Sequence, residues 1–111
     1  MMRMSNCATM ARNETWSGRA ATEPYEAGWA SEAVIFLRAL GEPVGGQGRA
    51  WVEISPDGMH WVPEGAEFPL PDAKDGIGHA RVTNFGCWLR LVAELPEGAQ
   101  MTVLVTMHLK S

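Results

Sequence analysis

The segment Trp51–Val62, WVEISPDGMHWV, predicts a β-hairpin. Its first five residues alternate, which places Val52 and Ile54 on one face of a strand and their neighbours on the other face. The tripeptide Pro56-Asp57-Gly58 is typical of a turn, because proline presets φ, aspartate bonds to its own backbone and glycine adopts a positive φ. Met59–Val62 then returns as the partner strand.

Three later segments also show the two-residue period of a strand. His79–Phe85 alternates up to Gly86, which ends or bulges it. Cys87–Leu95 and Gln100–Lys110 alternate as well, and the turn Pro96–Ala99 between them predicts a terminal antiparallel hairpin. The residues expected to face the core are Ala80, Val82, Cys87, Leu89, Leu91, Ala93, Met101, Val103, Val105, Met107 and Leu109, whereas Phe85 is expected to face outward.

Ala30–Leu40 is compatible with two secondary structures. Its alanine, glutamate and leucine content favours a helix, whereas its centre, Val34-Ile35-Phe36, is apolar on both faces and β-favouring. We expect a buried strand, because Gly28 and Gly41 flank the segment, with Arg38 pointing outward near its end.

Composition favours one all-β domain. The chain has 111 residues, 46% of them hydrophobic and 20% charged, which suits a single domain with a sizeable core. Twelve glycines and seven prolines indicate many turns and short strands. We therefore predict a single-domain antiparallel β-sandwich of jelly-roll type over residues 20–111. A flexible N-terminal arm, residues 1–19, precedes it, because no period holds there.

The net charge argues against two classes of partner. The formal charge is −4, and no basic stripe of the kind that binds phosphates is present, so we expect neither nucleic acid nor an anionic membrane as partner. Met1–Met10 lacks the apolar region of a signal peptide, and no run approaches the ~20 apolar residues of a membrane span. We expect synthesis in the cytoplasm, where Cys7 and Cys87 stay free thiols, although their pairing stays open.

No motif indicates catalysis or a cofactor. No serine lies in a GxSxG elbow, and no acidic pair is positioned by its spacing for glycoside hydrolysis. His60, His79 and His108 show no HxH or HExxH spacing, and Asp72 and Asp75 lack the full ligand series of a calcium loop. We expect no enzyme, no metal and no cofactor. A cupin-like metal enzyme built on the three histidines is a further alternative.

The five tryptophans are the clearest indication of a binding surface. Trp51 and Trp88 fall on the strand face opposite the main apolar stripe, and tryptophan on such a face serves either a protein interface or a carbohydrate platform. Trp16, in the arm, either packs back onto the sandwich or anchors a neighbouring subunit. We predict Trp16, Trp51 and Trp88 as interface residues. The alternative is a glycan-stacking platform made of Trp51, Trp61 and Trp88.

Two segments resemble known β-sandwich families. Val52–Trp61 resembles the V-x-x-S-x-D-G-x-x-W hairpin of discoidin-like jelly rolls, and Cys87–Leu91, CWLRL, resembles the aromatic-hydrophobic-Arg-hydrophobic strand that follows it in those domains. With the final strand Met101–Lys110, the same signatures are similar to those of small structural proteins of tailed-phage particles. Discoidin domains are longer, usually secreted and commonly closed by a disulfide, so the phage-type resemblance fits this chain better.

The resemblance and the tryptophans together lead to an expected function. We predict a non-enzymatic structural or assembly subunit, such as a capsid-decoration or minor particle protein, that acts through protein–protein contacts. It is expected to form a homo-oligomer or a particle and to be incorporated into a virion or other protein assembly. The alternative is a carbohydrate-binding β-sandwich module that uses its exposed tryptophans.

Overall fold

Two antiparallel β-sheets carry the regular structure of the chain. The fold is given by a computed structural model that describes residues 4–111, and over those residues it contains nine strands and no helix. No helix that could cross a membrane therefore occurs in this part of the chain. The strands are β1 (Ser5–Trp16), β2 (Arg19–Ala21), β3 (Tyr25–Glu26), β4 (Glu32–Ala39), β5 (Arg49–Ser55), β6 (Val62–Pro69), β7 (Ile77–Thr83), β8 (Trp88–Glu94) and β9 (Met101–Lys110).

The strands pair as nested hairpins. β5 pairs with β6, β4 with β7, β2 with β8 and β1 with β9, all of them antiparallel. One sheet, here called sheet A, has the order β1-β9-β4-β7; the other, sheet B, has the order β2-β8-β5-β6, with β3 also pairing to β8. Nested antiparallel pairs shared between two sheets make a jelly roll. The predicted all-β sandwich of jelly-roll type is confirmed.

The core lies between the two sheets and is built by alternation. In β9, every second residue from Met101 to Leu109 is buried, and the residues between them are half-buried or exposed. Sheet B contributes Leu89 and Leu91, which are fully buried. Burying a side chain of this size stabilises the fold by about 1.5–3 kcal/mol. The predicted core residues are confirmed except for Cys87, which is exposed and precedes β8.

The segment Ala30–Leu40, for which both a helix and a strand were possible, forms the strand β4. It lies between β9 and β7, so both of its edges are hydrogen-bonded. Ile35 and Leu37 are fully buried, and Arg38 points outward as predicted. The two ladders and the buried face outweigh the helix propensity of alanine, glutamate and leucine.

The predicted flexibility of the N-terminal arm is wrong for residues 5–16. These residues form β1, an edge strand that pairs along nearly the whole of β9. The register shifts at Met10 and at Asn13, where β-bulges insert an extra residue. Each bulge interrupts the two-residue period, which hides the strand from a search for alternation. Residues 1–3 of the predicted arm lie outside the described residues.

The predicted hairpin Trp51–Val62 is right in its first strand, which lies within β5, and wrong in its second. The partner strand β6 begins only at Val62. The reason is local, because the Asp57 carboxylate accepts hydrogen bonds from the backbone N–H groups of Met59 and His60 and holds these residues in a loop.

The predicted terminal hairpin is also wrong. β8 belongs to sheet B and β9 to sheet A, so the turn at residues 96–99 crosses from one sheet to the other. In this arrangement β9 has β1 and β4 as neighbours and β8 has β2 and β5, which gives each strand two ladders instead of one. Phe85 is buried, not outward, because positive φ values at Asn84 and Gly86 redirect the chain after β7.

Candidate functional site

The outer face of sheet B carries buried polar groups where solvent-exposed side chains are expected. In β5 and β8, Glu53 lies opposite Arg90 and Ser55 opposite Trp88, so their side chains share this face. Trp51, Glu53 and Ser55 are nevertheless all buried. Arg19 of β2, Arg90 of β8 and the backbone of the loop after β5 cover them.

Glu53 is the centre of a network of charge-assisted hydrogen bonds. Its side chain is 6% exposed, and its Oε1 accepts hydrogen bonds from Nε and Nη2 of Arg90, at 2.9 Å and 2.6 Å. Its Oε2 accepts from Nε1 of Trp51 at 2.9 Å and lies 3.7 Å from Nη2 of Arg19. Burial raises the pKa of the Glu53 carboxyl, but the hydrogen bonds from Trp51 and Arg90 and the charges of Arg90 and Arg19 outweigh it. The pKa therefore lies below the ordinary value of 4.5.

Two guanidinium groups lie against the indole ring of Trp51. The Cζ atoms of Arg49 and Arg19 are 4.5 Å and 5.3 Å from the ring centroid, within the range of a cation–π contact. Nη1 of Arg49 donates to Oε2 of Glu67 at 3.1 Å. These contacts leave Trp51 only 7% exposed. The indole therefore forms the covered floor of the site.

These side chains enclose a shallow depression of about 280 Å³. This volume lies close to the lower end of the ~300–1,000 Å³ that small-ligand sites usually occupy. β6 bulges opposite β5, and Gly65 in the bulge has a positive φ and no neighbour where a Cβ would stand. The rim is therefore open at this point. The lining residues are Arg19, Arg49, Trp51, Glu53, Pro63, Gly65 and Glu67.

Two half-buried tryptophans extend the surface beyond the depression. The Arg90 guanidinium, bound to Glu53, lies 4.4 Å from the ring centroid of Trp61. Trp88 packs on Gly58, where an added Cβ would come within 3.2 Å of the indole. The chain therefore places Trp61 and Trp88 on the same side of the sandwich as the depression.

Asp57 holds the loop that carries Trp61. Its carboxylate accepts hydrogen bonds from the N–H groups of His60 and Met59, and its Oδ2 lies 2.7 Å from Nδ1 of His60. The backbone bond from His60, the His60 ring, the backbone bond from Met59 and the Ser55 hydroxyl together hold the pKa of Asp57 well below its usual range. These hydrogen bonds therefore hold the loop in a defined conformation.

The three predicted interface residues differ in their burial and surroundings. Trp16 is 4% exposed and belongs to the core cluster. It therefore packs back onto the sandwich, which was the alternative to the predicted interface role. Trp51 is buried under arginines, and Trp88 is half-buried. The prediction that Trp51 and Trp88 face away from the core is correct, but the expectation that Trp51 presents an open ring is wrong. Trp51, Trp61 and Trp88 do lie on one face, as the platform alternative requires.

Sequence reasoning missed the charged partners of the tryptophans. Alternation alone places Glu53 and Arg90 outward on their strands, and their opposite charges could have suggested that they stand opposite each other. Alternation also places Arg49 on the face of Trp51, two residues later in the same strand. Arg19 gave no such signal, because the pairing of β2 with β8 depends on a register that the sequence does not display.

The three histidines do not converge. His79 and His108 both lie beside Phe36 on the outer face of sheet A, at centroid distances of 6.1 Å and 5.3 Å. His60 lies on the loop after β5, with Asp57. Over residues 4–111, no three His, Cys, Asp or Glu side chains form a group that could hold a metal ion. Asp75, the second carboxylate considered for calcium, lies 3.9 Å from Nε of Arg38.

Comparison with known proteins bears on the fold. No protein-family model matches the chain, and no curated protein matches it. The chain is similar to the crystal structure of PirA, with 14% sequence identity, a TM-score of 0.54, and coverage of 95% of this chain and 92% of that chain. A family 11 carbohydrate-binding module from Clostridium thermocellum, in complex with a β-1,3-1,4-mixed-linked tetrasaccharide, aligns with 7% identity and a TM-score of 0.46, covering 96% of this chain and 82% of that chain. The resemblance to discoidin-like and phage proteins is thus confirmed only as far as a β-sandwich.

Proposed function

We propose that this chain is a non-catalytic binding module that takes a neutral saccharide on the outer face of sheet B. The observation that carries the proposal is the depression floored by Trp51 and Glu53, in which guanidinium and carboxylate groups face one small space. A few convergent polar groups in a depression of this size are typical of a ligand site.

The charge balance of the lining favours a neutral ligand with many hydroxyls. Arg49 is paired with Glu67 and Arg19 lies near Glu53, so positive and negative groups alternate around the depression. Guanidinium groups only donate hydrogen bonds and carboxylates only accept them, whereas a hydroxyl does both. Neighbouring hydroxyls on a sugar ring can therefore bridge such pairs, while a charged ligand meets repulsion from one member of each pair.

The polar groups are held in place before any ligand arrives. Arg49 and Arg19 rest on Trp51, and Arg90 is fixed by two hydrogen bonds to Glu53. A free arginine side chain carries about 2 kcal/mol of rotamer entropy, which must be lost when it binds. Groups that are already ordered lose less, so the network favours affinity through preorganisation.

Trp61 and Trp88 supply the apolar part of the proposed surface. Both are half-buried, and the Arg90 guanidinium lies against Trp61. A flat aromatic ring with a polar edge suits a ligand that is apolar on its ring faces and polar on its rim. We place the saccharide across the depression and toward Trp61.

The proposal is for binding without catalysis. A glycosidase needs one carboxylic acid that can give a proton to the leaving group. The hydrogen bonds and arginine charges around Glu53 hold it ionised, so it has no proton to donate. Glu67, the other carboxylate of the lining, is engaged by Arg49.

Intrinsic tryptophan fluorescence tests the proposal with β-linked gluco-, xylo-, manno- and galactotetraoses as ligands. We expect at least one of them to change the emission in a saturable way. Arg49→Ala should weaken that binding at least tenfold, a loss of about 1.4 kcal/mol. The matched control is Arg81→Ala, because Arg81 is an exposed arginine on the opposite sheet.

Two results contradict the proposal. One is the absence of binding to all four sugars by calorimetry with folded protein at millimolar ligand. The other is binding that Arg49→Ala leaves intact and Arg81→Ala removes, which would place the ligand on the wrong sheet.

A further inference from the structure

The outer face of sheet A differs in charge from the rest of the chain. Its outward residues stand in register across β1, β9, β4 and β7. Among residues 4–111, four lysines and arginines share this face with one acidic residue, although the whole chain carries a formal charge of −4. Asp75, at the end of the loop before β7, lies 3.9 Å from Nε of Arg38 at the rim. The charged residues of this basic face are Arg12, Glu32, Arg38, Arg81 and Lys110.

The centre of the basic face is apolar. Phe36 and Val34 are half-buried and stand on β4, in the interior of the sheet. The His108 ring meets the Phe36 ring edge-on, and the His79 ring lies on its other side. A depression of about 460 Å³ runs over this centre toward Arg81 and Lys110.

We propose that the basic face docks a partner protein through an acidic patch that has an apolar side chain at its centre. Arginine binds carboxylates with paired hydrogen bonds, which gives direction as well as energy. An aromatic centre with arginine around it matches the residues enriched in protein interfaces. A positive face on a negatively charged chain also steers an acidic partner to this side of the molecule.

The same observations disfavour two other occupants. A second copy that used the same face would set a face of four cations and one carboxylate against an identical face of the same net positive charge, since a two-fold interface pairs a patch with itself. Nucleic acid needs open aromatic faces or a stripe of cations. Here Phe36 lies between two imidazole rings, and the four cations stand on four different strands and not in one line.

An NMR titration of the ¹⁵N-labelled full chain tests the docking surface. The probe is a synthetic 12-residue peptide of glutamate and aspartate with one central phenylalanine. We expect the peptide to shift amide signals of the protein that cluster on β4, β7 and β9. The binding should weaken when salt screens the charges. Arg81→Glu should weaken binding at least tenfold. Lys74→Glu, the same charge change at an exposed loop residue off the sheet, should keep it.

Three results overturn the inference. The first is a set of shifts on sheet B, or no shifts at millimolar peptide. The second is equal binding of a peptide in which serine replaces the phenylalanine, which would show that the face binds by charge alone and that its apolar centre plays no part. The third is tighter binding of a single-stranded oligonucleotide at the same amides. None of these outcomes depends on the saccharide site, because it lies on the other sheet.

Discussion

Glu53 is a buried carboxylate on the outer face of a sheet, and it stays ionised there. A buried charge costs free energy unless partners replace its water, and here one indole N–H and two arginines do so. Replacing such a cluster with apolar residues is often neutral for stability, whereas removing one partner is costly. The network at Glu53 is therefore better explained by what it positions than by what it adds to the fold.

Glu53→Gln should destabilise the fold by about 2 kcal/mol at pH 7, below the 3–5 kcal/mol of a deeply buried pair because the arginines keep contact with water. The pKa of Glu53 lies below 4.5 in the folded state, so its stabilisation is complete above that pH and is lost as the pH falls through the folded-state pKa. Urea unfolding at pH 7 and pH 3 should show the gap between wild type and variant narrowing at pH 3. Glu67→Gln, at an exposed residue, is the control, with a change within 0.5 kcal/mol. A constant gap would mean that the charge of Glu53 is not involved.

At the scale of elements, the loop after β5 carries Trp61 and packs against Trp88 of β8. Gly58 has a φ of +79° and lies against the Trp88 indole, whereas Gly98 has a φ of +83° with no atom near its Cβ position. Gly58→Ala should therefore cost more than Gly98→Ala, which pays only the backbone strain of about 1–2 kcal/mol. Thermal unfolding of both variants measures the difference, and near-ultraviolet circular dichroism should change only for Gly58→Ala. Equal costs would show that the Trp88 contact is not tight.

β1 gives the second prediction at this scale. Trp16 ends the strand inside the core, so Trp16→Ala should cost about 3 kcal/mol. Trp29→Ala, at a residue 36% exposed, should cost less than 1 kcal/mol. Denaturant unfolding with light scattering on the same samples separates two roles for Trp16. Unchanged stability with a changed native mass would restore the interface role predicted from the sequence.

The molecule as a whole presents two unlike faces on one jelly roll. The outer face of sheet B holds a charge-balanced depression with aromatic neighbours, and the outer face of sheet A holds separated cations around an apolar centre. The two surfaces are separated by the core, so a variant at Arg49 and one at Arg81 are expected to act independently.

The sequence was sufficient for the strands that alternate without interruption. β9 and β8 show their buried faces directly, and the β-branched centre of β4 identifies it as a strand. β1 was missed because its bulges at Met10 and Asn13 interrupt the alternation. The candidate site could be predicted only in part. Alternation gives the outward direction of Trp51 and places Arg49, two residues earlier in β5, on the same face, but Arg19 comes from β2 and reaches the indole through tertiary packing.

The most direct test of saccharide binding on sheet B is an NMR titration that follows the indole Nε1–H signals of the tryptophans and the Nε–H signals of the arginines. The ligands are the four tetraoses. We predict saturable shifts at Trp61, Arg49 and Arg90 with at least one of them, while the amides of β4 and β7 stay unmoved. Saturable shifts confined to sheet A, or no shifts with any tetraose at millimolar concentration, would contradict the account.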